Sequence, residues 1–577
     1  VGKHASGVRG WPLAALAVVA GAGVALAYAR FALPGQLLRL AAVGPLAFAL
    51  LFVFASPTSG VLLAGGGRAA PVAPARPHPP VVVVVLDEFP LVSLLDGQGR
   101  VDAGRLPNFA RLARGSTWYR NATAVSGHTT YAVPALLSGR YATKVRAPHY
   151  SAYPDNLFTL LGGAYDIEAW ENITRLCPPE HCPPRSGQGR GGLPAVLRES
   201  AALYGDIVST RDSVEDPTAS YSEPTVADRA AGAGAAGPPA PTGVAGNEPA
   251  ALHDMLASIG PTDPPTLRFL HLLVPHSPWV YLPSGMRYDG PGGLPFDGDW
   301  WARLAHQRHL AQVAYADRLL GQLLDRLAAT GQYDDSLIVV TSDHGDSFSQ
   351  GVSGRDLDDA QRAAAELAWV PLFIKEPGQT AGRVDDRNWE HVDLLPTVAD
   401  YAGVPVPWHT DGVSARGPAR TATGKRFDVA PGRPVTLDGP RHFPAIRAGS
   451  AARPALPEMP ALRLVGRPTS AFPVADGGPP ATVAKLREYA DVRPVTGKLP
   501  ALVDAELPAA VPAGTPIAVA VNGRIGAVAL AARDGRGVLR AVALVGDEAL
   551  FVPGRNRLEL FEVTGGGSGL RRLALDG

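Results

Sequence analysis

The chain has 577 residues, and its 53 Lys and Arg residues balance its 53 Asp and Glu residues, so the formal net charge is +0. A chain of this length exceeds what one simple core accommodates, and two or more domains are expected. The balanced charge, without a basic block, excludes nucleic-acid binding as the main function.

Two apolar runs near the N-terminus predict membrane-spanning helices. Residues 11–28 and 40–63 are each close to the ~20 apolar residues that cross a bilayer. Arg30 and Arg39 lie between them, so the positive-inside tendency places this loop in the cytoplasm and both outer ends outside. A signal peptide is the alternative for the first run, but that run lacks a cleavage site and a second span follows. Because the chain starts with Val1 rather than Met, further spans are expected before it.

The stretch after a Gly/Pro-rich linker at residues 64–80 has the pattern of a buried strand. Residues 81–86 are five valines and a leucine, and Asp87 and Glu88 follow them directly. An unbroken β-branched run without polar alternation is typical of a strand buried on both faces of a parallel sheet. Carboxylates at the end of such a strand lie where open α/β sheets build ligand sites, although a surface turn is the alternative.

A segment rich in hydroxyl groups follows a predicted strand at residues 116–124. Residues 126–134 read SGHTTYAVP and lead into a predicted helix. Backbone N–H groups at a helix start favour a phosphate or sulfate oxygen, and a Thr hydroxyl bound to a divalent metal there would become nucleophilic. The alternative is a Ser/Thr-rich N-cap without a catalytic role.

The two cysteines of the chain, Cys177 and Cys182, lie in the sequence CPPEHC. Their close spacing and the outside location predict a small disulfide loop. The alternative is a metal pair, which needs two more ligands, one of which His181 could supply.

A second buried strand also ends in residues that can do chemistry. Residues 336–342 are followed by Asp343, His344 and Gly345. Two buried strands that deliver Asp and Asp-His to one edge of a sheet indicate a metal site.

The other elements alternate between helix and strand, which predicts a parallel α/β sheet. Helices are predicted at 106–114, 155–161, 302–330 and 394–402, and strands at 165–170, 267–274 and 369–375. Asp155 is the predicted cap of its helix, and His271, inside an apolar strand, is interpreted as a core histidine with satisfied hydrogen bonds. Residues 208–248, rich in Ala, Gly, Pro and Ser, are interpreted as an exposed insertion.

The pattern changes after about residue 420. Residues 421–514 suggest an irregular segment, and residues 515–577 contain short β-like runs separated by Gly, Asn and Asp. These runs predict a small antiparallel β unit.

These segments together resemble the alkaline phosphatase superfamily, in particular its sulfatase-like branch. The resemblance covers about residues 81–414 and runs through VVVLDEF, LPNFARLARGSTWYRNATAVSGHTTYAVPALLSGRY, TSDHGDSF, HVDLLPT and DGVS in the family's order. It implies an α/β domain at residues 81–420 with a central, mostly parallel sheet flanked by helices. It also implies that Asp87, Asp343 and His344 bind a divalent metal ion (Zn, Mn, Mg or Ca), with Glu88 at the position of a second metal acid.

The resemblance further implies a nucleophile at Thr129, which would also be a metal ligand. Sulfatases oxidise a Cys or Ser in Cys/Ser-x-Pro-x-Arg to formylglycine, but the matching position here is Thr129, and the Pro and Arg of that motif are absent. Membrane-anchored phosphoethanolamine and phosphoglycerol transferases of the same superfamily use Thr directly. The phosphoethanolamine branch has Val-Pro at the spacing of Val133 and Pro134.

The active-site histidines of those transferases have fewer clear counterparts in this sequence. His276 lies in a PHSP segment similar to the NHGP-like segment of those transferases, which implies a role in phosphate binding or proton transfer. A later active-site His of that branch has no clear counterpart, and His391 is a substitute candidate, against a simple helix N-cap neighbour. His128 and Thr130 are the alternatives if the motif is displaced by one residue.

The resulting hypothesis is a multi-pass membrane protein with a metal-dependent catalytic domain outside the cytoplasm. Thr129 would transfer or hydrolyse a phosphoryl-linked head group, of phosphoethanolamine or phosphoglycerol type, on a lipid or cell-envelope polymer. One alternative is a sulfate-ester or phosphate-ester hydrolase. Another is a non-catalytic sulfatase-like domain that binds the envelope.

Overall fold

The computed structural model describes residues 78–182, 249–261, 265–290, 299–348, 364–430, 432–448, 459–534 and 536–576, with residues 19, 21, 22, 26 and 30 near the N-terminus. Within these ranges no helix combines the length and the apolar character needed to cross a bilayer. The spans predicted at 11–28 and 40–63 lie outside the described residues, except for single positions in the first. The linker up to residue 77 and the insertion at 208–248 lie outside them as well.

The described residues contain strands and helices throughout. In chain order the strands are β1 (Val81–Asp87), β2 (Thr117–Tyr119), β3 (Ala122–Thr123), β4 (Asp166–Trp170), β5 (Thr266–Pro275), β6 (Leu337–Ser342), β7 (Leu372–Lys375), β8 (Arg383–Asp385), β9 (Trp389–Glu390), β10 (Lys425–Ala430), β11 (Arg433–Leu437), β12 (Val474–Val483), β13 (Leu502–Glu506), β14 (Pro516–Val521), β15 (Arg524–Leu530), β16 (Ala532–Arg533), β17 (Leu539–Leu544), β18 (Leu558–Thr564) and β19 (Gly569–Asp576). The helices are α1 (Pro107–Gly115), α2 (Thr129–Ser138), α3 (Leu157–Leu161), α4 (Ala250–Ser258), α5 (Asp299–Ala329), α6 (Gln332–Asp335), α7 (Ala364–Leu367), α8 (Leu394–Ala402) and α9 (Gly439–Arg447).

The central sheet has the strand order β4-β5-β1-β6-β7-β2-β8. β1 lies in its middle and pairs in parallel with β5 on one side and β6 on the other. β7 runs antiparallel to both of its neighbours, so the sheet is mostly parallel, as predicted. The carboxyl ends of β5, β1 and β6 therefore meet at one edge.

Both faces of β1 are buried, which confirms the interpretation of the valine run. One cluster contains Val82, Val84 and Leu86 and is covered by side chains of α1 and α5. The opposite cluster contains Val81, Val83 and Val85 and is covered by α2 and α8. Full burial of a valine contributes about 1.5–3 kcal/mol, so this strand anchors both halves of the core.

Asn156, rather than Asp155, caps α3. The Asn156 side chain accepts hydrogen bonds from the backbone N–H groups of Phe158 and Thr159, at 2.9 and 3.2 Å. Asp155 instead pairs with Arg140, at 3.0 Å. The prediction missed the cap by one position because Asp and Asn are equally good N-caps and stand side by side here.

The C-terminal β-rich unit is larger than residues 515–577. Its eight-stranded sheet has the order β15-β14-β18-β19-β12-β13-β17-β16, so β12 and β13, from the segment interpreted as irregular, belong to it. β12 pairs in parallel with β19, and the unit is therefore not purely antiparallel. The sequence of β12, VADGGPPATV, concealed the strand because Gly and Pro disfavour strand interiors; the register shifts at Gly478 and Pro480 accommodate them.

The β-rich unit packs against the segment that follows β5. Leu282 and Tyr288 share an apolar cluster with Val503 and Leu544 of the C-terminal sheet. The backbone N–H of Ser284 donates to Glu548 at 2.8 Å, and the Ser284 hydroxyl donates to the same carboxylate. The segment that follows β5 is thus held by the C-terminal part of the chain.

Candidate metal centre

Three adjacent strands bring the candidate residues to one sheet edge. Asp87 is the last residue of β1, Asp343 follows β6, and His276 follows β5. The Asp343 N–H donates to the Leu86 carbonyl at 3.0 Å, which extends the β1–β6 pairing into the site. The β1–β5 register shifts at Asp87, so the chain leaves the regular ladder where the site begins.

Asp87, Asp343 and His344 form a buried group whose ligand atoms all lie within 4.8 Å of one another. His344 Nε2 is 3.4 Å from Asp343 Oδ2 and 3.8 Å from Asp87 Oδ1. Two ligands that are each ~2.1 Å from one ion lie at most ~4.2 Å apart, so these separations suit a shared ion. Among the described residues Asp343 Oδ2 has no hydrogen-bond partner, which leaves this buried carboxylate oxygen available as a ligand. The group fits a divalent metal ion.

Thr129 lies beside this group as the first residue of α2. Its hydroxyl donates to Asp87 Oδ1 at 3.5 Å and lies 3.3 Å from His344 Nε2. His128 is the N-cap residue but does not cap the helix with its side chain, and Thr130 is the second helical residue. The structure therefore brings Thr129 to the Asp-Asp-His group, at a helix N-terminus that favours anions.

The loop before Thr129 is held by β10. The Ser126 hydroxyl donates to the carbonyl of Asp428 at 3.1 Å, and the Asp428 N–H donates to Val125 at 2.7 Å. Asp428 lies in the segment interpreted as irregular, so sequence reasoning missed this support. The sequence of β10 is KRFDVA, and its residues 426–429 alternate between polar and apolar side chains. This alternation is the signal that could have revealed the strand.

The electrostatics keep Asp343 ionised. Burial raises its pKa, but His344, His271, the Thr129 hydroxyl and the Glu88 N–H together lower it to about 2. The carboxylate is therefore charged throughout the physiological range, which is the form that binds a cation.

Glu88 does not join the Asp-Asp-His group. Its Oε2 accepts a hydrogen bond from the Ser277 N–H at 3.0 Å and lies 3.9 Å from His276 Nε2. The backbone of Glu88 has a positive φ of 61°, which turns the chain away from the direction of β1. In this conformation Glu88 contacts the PHSP segment, and its role as the second metal acid, which the resemblance implies, stays a prediction.

His276 is oriented through its other ring nitrogen. Nδ1 lies against the Ser277 carbonyl, so Nδ1 carries a proton and donates. The backbone carbonyl of His276 accepts a hydrogen bond from Gln312 at 2.6 Å. His276 Nε2 faces Glu88 Oε2 at 3.9 Å.

The other two histidines lie deeper. His391 begins a short 3-10 helix, His391–Asp393, and burial lowers its pKa to about 4 against the opposing effect of Asp343. His271 is completely buried, and its ring nitrogens have no hydrogen-bond partner in the described part of the chain, contrary to the satisfied core histidine expected. Burial also lowers the pKa of His271.

Cys177 and Cys182 are joined by a disulfide with an S–S distance of 2.05 Å, as the sequence predicts. The alternative metal pair with His181 is therefore excluded in this state of the protein, because both sulfur atoms are engaged with each other.

Comparisons with known proteins bear on the family of the chain. The family profile described as Sulfatase matches residues 79–404. The chain is 36% identical over 116 residues to a choline-sulfatase of Rhizobium meliloti (strain 1021), which is 19% of this chain and 22% of that protein. It is 31% identical over 132 residues to a multifunctional alkaline phosphatase superfamily protein of Trinickia caryophylli, covering 22% of this chain and 24% of that protein.

The matched regions are short relative to whole proteins. The chain spans about a fifth to a quarter of the length of these curated relatives. Among solved structures, a phosphonate monoester hydrolase of Agrobacterium radiobacter is 20% identical with a TM-score of 0.38, over 61% of this chain and 80% of that chain.

Proposed function

The chain belongs to the sulfatase family, and from this premise we propose that it is a metal-dependent enzyme that transfers or cleaves phosphoryl esters through Thr129. The single observation that carries the proposal is the position of the Thr129 hydroxyl, 3.5 Å from Asp87 Oδ1 and 3.3 Å from His344 Nε2. A hydroxyl against a buried Asp-Asp-His group has the arrangement of an activated nucleophile.

The residues of the site divide the chemistry between them. Asp87, Asp343 and His344 would hold the divalent ion, which would supply Lewis-acid polarisation of the phosphoryl oxygen. The Thr129 hydroxyl loses its proton towards Asp87, and Oγ1 forms a bond to phosphorus while the bond from phosphorus to the leaving oxygen breaks. His276 Nε2 donates a proton to that leaving oxygen.

The second half of the reaction restores the enzyme. A water molecule or an acceptor hydroxyl attacks phosphorus, and the bond from phosphorus to Thr129 Oγ1 breaks. The attacking oxygen gives its proton to His276, and Thr129 regains a proton from Asp87. Water as the attacking group gives hydrolysis, and an alcohol gives transfer.

The side chain at position 129 favours phosphate over sulfate. A hydrated formylglycine has a second hydroxyl through which the sulfated enzyme can collapse and release sulfate. Thr has one hydroxyl, so a sulfated Thr129 would need a good acceptor, whereas a phosphorylated Thr129 can be resolved by attack at phosphorus. Sulfate-ester hydrolysis remains the second candidate because relatives carry names such as choline-sulfatase and N-acetylglucosamine-6-O-sulfatase.

Removal of the nucleophile tests the assignment. Thr129→Ala should abolish turnover of an aryl phosphodiester and leave the fold intact, because the change deletes one hydroxyl at a helix start, where side chains contribute ~1 kcal/mol. Thr130→Ala is the matched control and should retain activity. Full activity in Thr129→Ala with loss in Thr130→Ala would move the nucleophile by one residue.

A substrate comparison tests the reaction class. The metal-loaded protein should turn over aryl phosphodiesters faster than the matching aryl sulfate, for the reason given by the single hydroxyl of Thr129. Faster turnover of the sulfate that is lost in Thr129→Ala would establish the second candidate instead. Absence of bound metal and of turnover on all three ester classes, phosphodiester, phosphomonoester and sulfate, would favour a binding domain.

The proposed setting is the outer face of a membrane, with a lipid head group or an envelope polymer as substrate. The support is the apolar character of residues 11–28 and 40–63, together with the disulfide, which forms in oxidising compartments. The full chain should stay with the membrane pellet after alkaline extraction. Release into the supernatant would contradict the anchor without affecting the chemistry.

A further inference from the structure

A cleft lies beside the C-terminal end of α2, and the proposed function does not use it. Its volume is about 210 Å³, and its walls come from the segment after α2, the segment before α3 and residues 409 and 411. Ser138, in the wall, is the last residue of α2, whereas Thr129 is the first. The ten residues of α2 span ~15 Å. None of the residues that line the cleft belongs to the Asp-Asp-His group, so the cleft is separate from the metal centre.

The walls of the cleft are fixed by hydrogen bonds within the protein. Arg140 Nε donates to the carbonyl of His409 at 2.7 Å, and the Tyr141 N–H donates to the Asp411 carboxylate at 2.9 Å. Another N–H of the Arg140 guanidinium donates to Asp155 at 3.0 Å, which joins the two sides of the cleft. Because these walls are already ordered, a ligand does not have to order them when it binds.

The charged side chains of the cleft leave a positive excess. Arg140, Lys144 and Arg146 line it, together with the carboxylates of Asp155 and Asp411. Asp155 is already paired with Arg140, at 3.0 Å. Among the described residues no carboxylate forms an ion pair with Lys144 or Arg146. Three cations against two carboxylates leave a formal charge of +1, which is complementary to an anion with a single negative charge.

Two residues of the cleft wall have hydroxyl groups that are not yet used. Ser138 is 3% exposed, and its buried hydroxyl has no hydrogen-bond partner in the described ranges. The same holds within those ranges for the hydroxyl of Tyr153. Arg146 Cζ lies 5.9 Å from the centre of the Tyr153 ring, and the guanidinium donates to the Ala152 carbonyl at 3.1 Å, so its charge is held at the cleft. Buried hydroxyls without a partner are unfavourable, and a ligand oxygen in the cleft would satisfy them.

We infer that this cleft binds a small organic anion with a single negative charge. Lys144 and Arg146 bind the anionic group, and the rings of Tyr141 and Tyr153, which line the cleft, contact the organic part. The ligand is small because drug-sized ligands occupy clefts of ~300–1,000 Å³. The ligand is bound without chemical change, so the inference depends neither on a metal ion nor on Thr129.

Titration calorimetry on the full chain tests the inference. The Thr129→Ala variant, treated with EDTA, is the protein to titrate, because neither turnover nor a metal ion then contributes to the heat. The probes are phenyl sulfate, methyl phenyl phosphate and benzoate, which carry one negative charge on different groups, and neutral phenol is the control. At least one anion should bind at a single site, at least ~10-fold more tightly than phenol. Binding of none of the three anions, or equal binding of phenol, would overturn the inference.

Matched substitutions locate the bound anion. Lys144→Gln with Arg146→Gln should weaken its binding by at least ~10-fold, because both charged donors are lost. Arg114→Gln with Arg487→Gln is the control, since it removes the same total charge from two residues that do not line the cleft. All four side chains are exposed, so both double variants should fold. Equal affinities in the two double variants would overturn the inference.

The metal ion separates this inference from the proposed function. Adding the divalent ion back to Thr129→Ala should leave the affinity of the cleft for the anion unchanged, because no residue of the Asp-Asp-His group lines it. Anion binding that requires the metal ion would place the ligand at the metal centre and overturn the inference. Absence of ester turnover in the wild type would contradict the proposed function and leave the cleft as inferred.

Discussion

At the residue scale, His309 shows how burial sets the protonation of a side chain away from the metal centre. His309 Nε2 bonds to the Ser93 hydroxyl at 3.1 Å, and the ring packs against Trp279 and Phe348. Burial is the main cause that lowers its pKa, to about 3; His306 acts in the same direction and Glu88 in the opposite one. His309 is therefore neutral in the folded protein well below neutral pH.

This shift predicts that acid destabilises the protein through His309. The unfolded residue titrates near 6.5 and the folded residue near 3, so the unfolded chain binds more protons between these values, and stability falls as the pH falls through this window. His309→Phe should remove about 1.4 kcal/mol of that loss for each pH unit below 6.5. Urea unfolding at pH 7.5, 6.5 and 5.5 measures the slope.

The exposed His409 provides the control for this experiment, since its side chain is 86% exposed. His409→Gln, measured in the same way, gives the effect of replacing a histidine at an exposed position. Equal slopes for the wild type and His309→Phe would show that His309 does not carry the effect.

At the element scale, the segment that ends with the disulfide packs against the end of α3. The bond joins Cys177 to Cys182 over a sequence separation of 5. A side chain at Gly162, the C-cap of α3, would collide with the ring of His181 inside this loop. The bond therefore holds a short loop in contact with a helix end that has no room for a side chain.

Cys177→Ser with Cys182→Ser should lower the unfolding free energy by less than ~3 kcal/mol, because a loop this short constrains the unfolded chain less than a 15-residue loop. Denaturant unfolding of the double variant measures the loss. Thiol titration of the denatured, non-reduced wild type should find no free thiol, and two free thiols would revive a role in metal binding.

The sequence predicts an element correctly where the apolar character of its residues matches their burial in the folded protein. β1 and β6 each begin with an unbroken apolar run and lead to an acidic residue, so both the strands and the site edge were predictable. β12 was not, because its Gly and Pro residues are tolerated only through pairing with β13 and β19. The position of His271 beside Asp87 was hidden for a similar reason, because it depends on the β1–β5 register, which no local pattern reveals.

At the scale of the whole molecule, the sulfatase-family domain and the C-terminal β-rich unit share a core. Leu282, Tyr288 and Leu304 cluster with Val503 and Leu544 across the junction. The Gln307 side chain of α5 also donates to the Leu544 carbonyl at 2.8 Å. Through the hydrogen bond of Ser284, the segment after β5 also contacts a residue that lies 264 positions further along the chain.

The shared core predicts that the two parts unfold together. Native-state hydrogen exchange should show that amides of β1 and of β14 lose protection at the same denaturant concentration, because opening the junction exposes apolar surface of both parts. Glu548→Ala, which removes the acceptor of Ser284, should lower that concentration for both strands. Earlier loss of protection in β14 alone would show that the β-rich unit is an independent module.

The pairing of β1 with both β5 and β6 has a consequence for the order in which the protein matures. Val81 pairs with Leu267 and with Leu337. The central strand therefore cannot form its backbone pairing until these later parts of the chain have been synthesised. Closing such long loops is slow, and the edge that holds Asp87, His271 and Asp343 cannot exist until both have closed. A cation can therefore bind at this edge only late in biogenesis. The ions present in the compartment where folding is completed then determine which metal is bound.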